Sequence, residues 1–302
     1  MLSKLTIAIP TYNRNDYLLK LFHTIPNDFH GKVVVSDNGN YVTDVIKSDY
    51  LDYDFHGIQE KVEMFQNWNR AIDYVNTEWF MIPSDDDVFY PDSFNIINKI
   101  LNEHPEGDIF IFGHNVIDEN DNVLHSWKPE RYHVYKSPYG FNIFSAGVDA
   151  RCPSIIMRTE FAKKLGKFDE SFKYTAADSL LIQKCLLYGN SVFVPEVISG
   201  YRTWPNNFTS QLNATKEWMT IIRRWTDKIA DILSTEFSKE IPIKNINNFK
   251  DEIFGRNLLS GLINKRSKEG MLAAFKFVRE NGFPFHADLK TKLRIVKSIM
   301  LK

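Results

Sequence analysis

Trp79-Phe80-Met81-Ile82 is a run of four apolar residues, and Asp85-Asp86-Asp87 follows it after Pro83-Ser84. A short apolar run bounded by turn formers predicts a strand buried on both faces. Carboxylates crowded at the end of such a strand repel one another and cannot all be buried without compensation. A divalent cation is the usual compensation, and an all-oxygen cluster suits a hard ion such as Mg²⁺ or Mn²⁺. Open α/β sheets bind their ligands outside the carboxyl ends of the strands. The run is therefore placed and charged like a metal–phosphate site. A solvated acidic turn before Pro91 is the other reading.

The flanking sequence predicts the sheet to which this strand belongs. Residues 5–9 form an apolar strand that Pro10 stops. Asp16 caps a helix carrying Tyr17, Leu18, Leu21, Phe22 and Ile25 at helical spacing. Val33-Val34-Val35 is a second buried strand, ending in Ser36-Asp37-Asn38-Gly39-Asn40. Strand, loop, helix and strand open a doubly wound α/β domain, and the two loops share one edge of its sheet.

Residues 41–60 show no usable period. A helix is predicted over 64–75, with Phe65, Trp68, Ala71, Ile72 and Val75 on one face. Another carries Phe94, Ile97 and Leu101 and ends near His104-Pro105. Further strands fall at 108–112, 154–158 and 191–195, with a hairpin turn at 117–123. Asp178 precedes a helix over 180–188 that stops at Gly189. From about Leu212 the pattern is helical without strands. Trp218, Ile221, Trp225, Ile229 and Ile232 form one apolar stripe. Leu289, Leu293, Val296 and Met300 form another.

Composition narrows the class. The net charge of −1 supplies no global field for nucleic acid. Cys152 and Cys185 make neither a disulfide framework nor a metal spacing, which points to a reducing compartment. The first residues run straight into a strand, leaving no room for a signal peptide. No apolar stretch approaches the roughly eighteen residues of a membrane span. The expectation is a cytoplasmic protein.

The order of features resembles the family 2 glycosyltransferases. The resemblance is carried by Ile9-Pro10-Thr11-Tyr12-Asn13-Arg14, Val35-Ser36-Asp37-Asn38-Gly39, Asn67-Trp68-Asn69-Arg70-Ala71, Ser84-Asp85-Asp86-Asp87 with Pro91-Asp92, Leu165-Gly166-Lys167-Phe168-Asp169-Glu170, and Asp178-Ser179-Leu180. It covers residues 4 to 202. It implies a GT-A nucleotide-diphospho-sugar transferase fold: α/β, with a mixed central sheet flanked by helices and a helical C-terminal region. The implied catalytic domain is 1–211, with a donor half near 1–105 and an acceptor half near 106–211. The helical region is 212–302.

The resemblance also implies roles. Tyr12 would stack on the nucleotide base, with Pro10, Thr11 and Arg14 in the same donor loop. Asp37 would accept a hydrogen bond from the base, which suits uracil; a turn residue is the alternative. Asp85 falls at the family's ribose contact and Asp86 at its metal ligand. Asp87 is a second ligand or a supporting group, and the ion is Mn²⁺ or Mg²⁺. Ser84 stands where the family more often has Asp. Asp178 would be the catalytic base, a role compatible with capping its helix. Asp169 and Glu170 match the acceptor-side loop. Arg202 falls near the diphosphate, and Trp204 is placed to stack on a sugar.

Together these features imply an inverting transferase moving a sugar from a nucleotide-sugar, most simply a UDP-sugar, to a hydroxyl of a glycan or lipid-linked glycan. Bacterial surface polysaccharides such as O-antigen and capsule are the family's setting. Two rivals stay open. Apolar strand plus Asp85-Asp86-Asp87-Val88 also resembles the nucleophile motif of haloacid-dehalogenase-like phosphatases. A non-catalytic nucleotide-sugar-binding protein is the other. The last stripe is flanked by Lys290, Lys292, Arg294, Lys297 and Lys302. It suits either the inner face of the cell membrane or a subunit contact such as a homodimer.

Overall fold

The computed structural model describes residues 1–204 and 212–300. The chain divides into two compact units. The first comprises Met1–Ile143, Val148–Lys173 and Leu181–Trp204. The second takes Phe144–Gly147, Tyr174–Leu180 and the described residues beyond 211.

The first unit is built on one mixed sheet. Its strands are β1 (Leu5–Thr11), β2 (Lys32–Asn38), β3 (Asp54–Ile58), β4 (Trp79–Met81), β5 (Val88–Phe89), β6 (Ile109–Ile117), β7 (Val123–Trp127), β8 (His133–Tyr135), β9 (Ile155–Arg158) and β10 (Ser191–Arg202). They run in the order β3-β2-β1-β4-β9-β6-β10-β5, with β7 on β6 and β8 on β10. β3, β2, β1 and β4 are parallel. β9 lies antiparallel between β4 and β6, and β10 runs parallel to β6. Helices α1 (Asn15–His23), α2 (Asp44–Asp49), α3 (Met64–Asp73), α4 (Ser93–Glu103), α5 (Thr159–Lys164) and α6 (Ala177–Tyr188) follow the strands. Every residue of β1 and β4 is buried, as expected for strands covered on both faces.

The parallel half fixes the site. Register pairs Thr11 of β1 with Asp37 of β2 and Ile7 of β1 with Met81 of β4. The loops after β1, β2 and β4 therefore leave the same edge of the sheet. Pro10 does not stop β1, which continues through it to Thr11. β4 pairs only with Leu5, Thr6 and Ile7, so nothing on that side needs the amide that Pro10 lacks. Asp16 lies in the first turn of α1, whose N-cap is Arg14. There its charge still suits the helix dipole. The patternless stretch 41–60 holds α2 and β3. β10 runs well past Pro195, with register shifts between Val194 and Ser199 that absorb the proline.

The described C-terminal helices are α7 (Lys216–Thr235), α8 (Ile246–Glu269), α9 (Met271–Asn281) and α10 (Leu289–Met300). α7 buries Trp218, Ile221, Trp225 and Ile229 of the first predicted stripe and leaves Ile232 half-buried. The second stripe faces solvent: Leu289, Leu293, Val296 and Met300 are all exposed. No helix among the described residues is long and apolar enough to cross a membrane.

One buried group makes the first unit acid-sensitive. His114 of β6 is buried, lies 5.6 Å from the Trp127 ring, and leaves Nδ1 without a hydrogen-bond partner. Burial, with help from Arg151 and His125, pushes its pKa down to about 3. The unfolded imidazole takes a proton near pH 6.5 and the folded one does not. Its stability contribution is complete above that pH and is lost as the pH falls toward 3. His114→Phe removes this loss. The fall in unfolding free energy between pH 6.5 and 4.5, measured in urea, shrinks by about 2 kcal/mol.

Candidate active site

The loop after β4 buries Asp85 and Asp87 and leaves Asp86 between them half-buried. Thr11 Oγ1 donates to Asp85 Oδ2 at 2.7 Å, and the Tyr12 amide donates to the same oxygen at 3.4 Å. Arg14 Nη1 reaches Asp85 Oδ1 at 3.3 Å and Asp86 Oδ2 at 3.0 Å. The β1 loop thus grips the β4 loop with a hydroxyl, an amide and a cation. Asp87 is used from both ends: Oδ2 accepts the Ser84 amide at 2.8 Å and Oδ1 the Arg202 amide at 3.2 Å. Those bonds close the turn and tie it to the end of β10. Of its two predicted roles, this geometry is that of a supporting group.

Electrostatics single out the same loop. Burial, then the Asp86 charge, pushes Asp85 up to about 6 despite Arg14 and Thr11. Burial raises Asp86 as well, opposed first by Arg14. Asp87 is raised well above the carboxylate range by burial and then Asp86. Arg14 and Arg202 are the two cations set against these three carboxylates. The charged forms of the three carboxylates repel one another, which favours their protonated forms.

Arg202 is not available to a ligand. Its side chain is fully buried and donates to Asp86 O at 2.8 Å, Asp118 O at 2.7 Å and Asp121 Oδ1 at 2.6 Å. It bolts the aspartate turn to the β6–β7 hairpin. Arg14 is the more open cation. Its guanidinium carbon lies 5.0 Å from the Trp204 ring centroid, and Trp204 packs on Tyr17 at 4.9 Å. Trp204 therefore backs Arg14.

Tyr12 stands at the same edge, 40% exposed, edge-on to Tyr41 at 5.4 Å. Lys61 Nζ lies 4.2 Å from its ring centroid. Tyr41 carries no signal in the sequence because its position comes from a turn. Gly39 adopts φ +96°, and an added Cβ would meet the Tyr41 ring at 2.4 Å. Asp37 builds that turn. It is fully buried, Oδ1 accepting the Tyr41 amide at 3.0 Å and Oδ2 the Val42 amide at 2.7 Å. Asp37 therefore builds the turn, with one amide on each carboxylate oxygen. Pro10 is buried in β1 opposite Ser36.

The Asn67-Trp68-Asn69-Arg70 segment on α3 is a brace. Asn67 Nδ2 donates to the carbonyls of Thr11 at 3.4 Å and Ser36 at 3.0 Å, and its Oδ1 accepts Ser36 Oγ. One buried amide thereby holds the ends of β1 and β2 together. Asn69 exchanges hydrogen bonds with the Phe168 backbone, at 2.8 and 3.0 Å, and donates to Glu170 Oε1 at 2.8 Å. Asp169 Oδ1 accepts the amide and hydroxyl of Ser171. Glu170 and Asp169 are thus both used in shaping their loop.

Asp178 belongs to the second unit and is half-buried in the first turn of α6, not before the helix. Ala176, two residues before it, has φ +72°, a left-handed conformation that costs a non-glycine residue on the order of 1 kcal/mol.

Among the described residues, no group of three or more His, Cys, Asp or Glu is arranged to hold a metal ion by itself. The donor set nevertheless fits an ion that brings other ligands. Asp86 keeps a partly accessible carboxylate, and a dication beside it would relieve the repulsion among the three ionised aspartates.

Glycosyl transferase family 2 matches residues 6–166, and the chain belongs to that family. An uncharacterized glycosyltransferase of Rickettsia typhi is 27% identical over 180 residues, covering 56% of this chain and 55% of the relative. The chain thus spans about half the length of that relative. An uncharacterized glycosyltransferase of Methanocaldococcus jannaschii is 24% identical over 74% of this chain and 80% of its own. Among solved structures, S. aureus TarS 1–349 in complex with UDP-GlcNAc superposes with a TM-score of 0.64 at 15% identity, covering 98% of this chain and 87% of that one. The same fragment in complex with UDP gives 0.53 at 16% identity, over 92% and 88%. The fold is the mixed α/β GT-A fold.

Proposed function

We propose that this chain is an inverting glycosyltransferase that uses a nucleotide-sugar donor, with a UDP-sugar as the first candidate. The observation that carries the proposal is the buried aspartate turn gripped by Thr11, Tyr12 and Arg14 at the carboxyl edge of β1 and β4. Family membership and the UDP complexes of a protein with the same fold support it. Tyr12 and Tyr41 offer an aromatic platform for the base, with Lys61 and Arg14 as accessible cations beside it. Asp86, with the donor's phosphates, would hold a Mn²⁺ or Mg²⁺ ion; when bound, such an ion offsets charge on the departing nucleoside diphosphate.

Asp178 is assigned as the base. It accepts the proton of an acceptor hydroxyl as that oxygen bonds to the anomeric carbon. The bond from that carbon to the nucleoside diphosphate breaks in the same displacement, so configuration inverts. A strained residue two positions before a carboxylate in the first turn of a helix supports a functional role for this turn. The acceptor class proposed is a glycan or lipid-linked glycan hydroxyl. In the phosphatase alternative Asp85 would be a nucleophile. Its burial and its bonds to Thr11, Tyr12 and Arg14 do not favour that.

The test is thermal unfolding with UDP, GDP, dTDP and ADP, each with and without Mn²⁺. UDP at a hundred times its dissociation constant is expected to stabilise the protein by about 2.7 kcal/mol, and only with the ion. A shift with another nucleotide moves the base assignment. No shift with any of them removes the donor-site reading.

A further inference from the structure

α10 is held on α8 by one face, which fixes its rotation. Thr291 is buried and donates its hydroxyl to Glu252 Oε1 at 3.2 Å. Gly255 leaves room for it, since an added Cβ would stand 2.8 Å from Thr291 Cγ2. Ile295 is fully buried, and Arg266 donates to the carbonyls of Ser298 and Ile299. The opposite side is left with Leu289, Leu293, Val296 and Met300, exposed by 69, 58, 41 and 68%. At 100° per residue these side chains fall within an arc of roughly 60°. Lys292 borders the arc on one side, and Lys297 and Lys290 border it on the other, with Arg294 beyond them. No acidic residue lies in the helix. Phe285, in the turn four residues before Leu289, is a further exposed apolar side chain, at 73%.

The charges decide what covers this strip. A second copy meeting it about a two-fold axis would set the same four cations against themselves. Water alone leaves five large apolar side chains unburied. An anionic bilayer surface satisfies both parts. The apolar arc enters the headgroup–acyl boundary, and the long basic side chains lie along it with their charges among the phosphates.

We propose that α10 with Phe285 is an interfacial anchor for anionic lipid, lying in the plane of the membrane. The proposal stands independently of the transfer reading. The whole chain is sedimented with vesicles of phosphatidylglycerol and phosphatidylcholine, and with phosphatidylcholine alone. Binding is expected only with the anionic lipid and weakens as salt is raised. Lys290→Gln with Lys297→Gln lowers partitioning about 25-fold, at roughly fivefold per charge. Leu293→Asp lowers it tenfold or more on an estimate of roughly one buried leucine lost. All three positions are exposed, so melting temperatures stay unchanged. Absence of vesicle binding, equal binding to neutral vesicles, or binding that neither variant weakens overturns the proposal. So does a concentration-dependent dimer, seen by light scattering, that Leu293→Asp dissolves.

Discussion

Asp178→Asn lowers turnover for sugar transfer by about a thousandfold and leaves the UDP-dependent rise in melting temperature unchanged. A sugar hydroxyl gives up its proton far above neutral pH, so without an acceptor for that proton the attack stalls. A positioned carboxylate contributes roughly 10² to 10⁴ in rate. Asparagine keeps the shape of the side chain. It cannot take the proton. The two readouts separate catalysis from binding. Transfer is scored by release of UDP in the presence of acceptor; binding is scored by unfolding with UDP and Mn²⁺. If turnover survives within tenfold, Asp178 only starts a helix and the base lies elsewhere. If the UDP shift is lost as well, the substitution has damaged the fold. Asp178→Glu then tests whether a carboxylate at this turn restores activity. Ala176→Gly relieves the left-handed strain two residues before Asp178. It is expected to raise stability by several tenths of a kcal/mol on the general scale for such sites.

How much of the fold is legible in the sequence depends on the kind of information each residue carries. Residues 79–82 and 33–35 announce their strands because both faces of the parallel half are covered, so no polar alternation interrupts them. The 24-residue α8 announces nothing. Its interior glycines read as breakers, yet each is a point of close approach. An added Cβ at Gly261 would stand 2.4 Å from the Asn213 carbonyl, and Gly255 receives Thr291. The second stripe is visible as a stripe, but periodicity cannot say whether a partner covers it.

The site shows the same division. That Thr11, Tyr12, Arg14 and the aspartates matter follows from charge, order and spacing. What each does depends on hydrogen bonds across long sequence separations. Asp37 and Arg202 have the right chemistry to touch a nucleotide. In the fold Asp37 accepts two backbone amides, and Arg202 donates to two carbonyls and to the Asp121 carboxylate. Asn67, a plain polar residue in the sequence, holds two strand ends together.

Asp86→Asn abolishes the ion-dependent stabilisation by UDP, a loss of about 2.7 kcal/mol at saturating ligand, and makes the free protein more stable. The two effects have one cause. After burial, the Asp86 charge does most to raise both Asp85 and Asp87. Removing it lets both neighbours ionise at lower cost, while Arg14 keeps an oxygen acceptor at position 86. It also removes the more accessible of the two carboxylates that Arg14 pairs, with a side chain 13% exposed against 7% for Asp85. The pH dependence of the free protein carries the signature. Asp85 is raised from 3.8 to about 6 in the fold. The folded state therefore holds a proton that the unfolded chain has lost. That contribution is complete below about pH 3.8 and disappears as the pH rises through about 6, a change on the order of 3 kcal/mol. It opposes the His114 limb over the same range. In Asp86→Asn the Asp85 limb moves down toward the ordinary carboxylate value, so stability at pH 7 rises relative to the parent. Urea unfolding at pH 4, 5.5 and 7, repeated with UDP and Mn²⁺, reads both effects. A variant that is less stable than the parent at pH 7 shows that Asp86 is held by favourable bonds and not strained by its neighbours. A variant that still gains stability from UDP only when the ion is present moves the ion off Asp86.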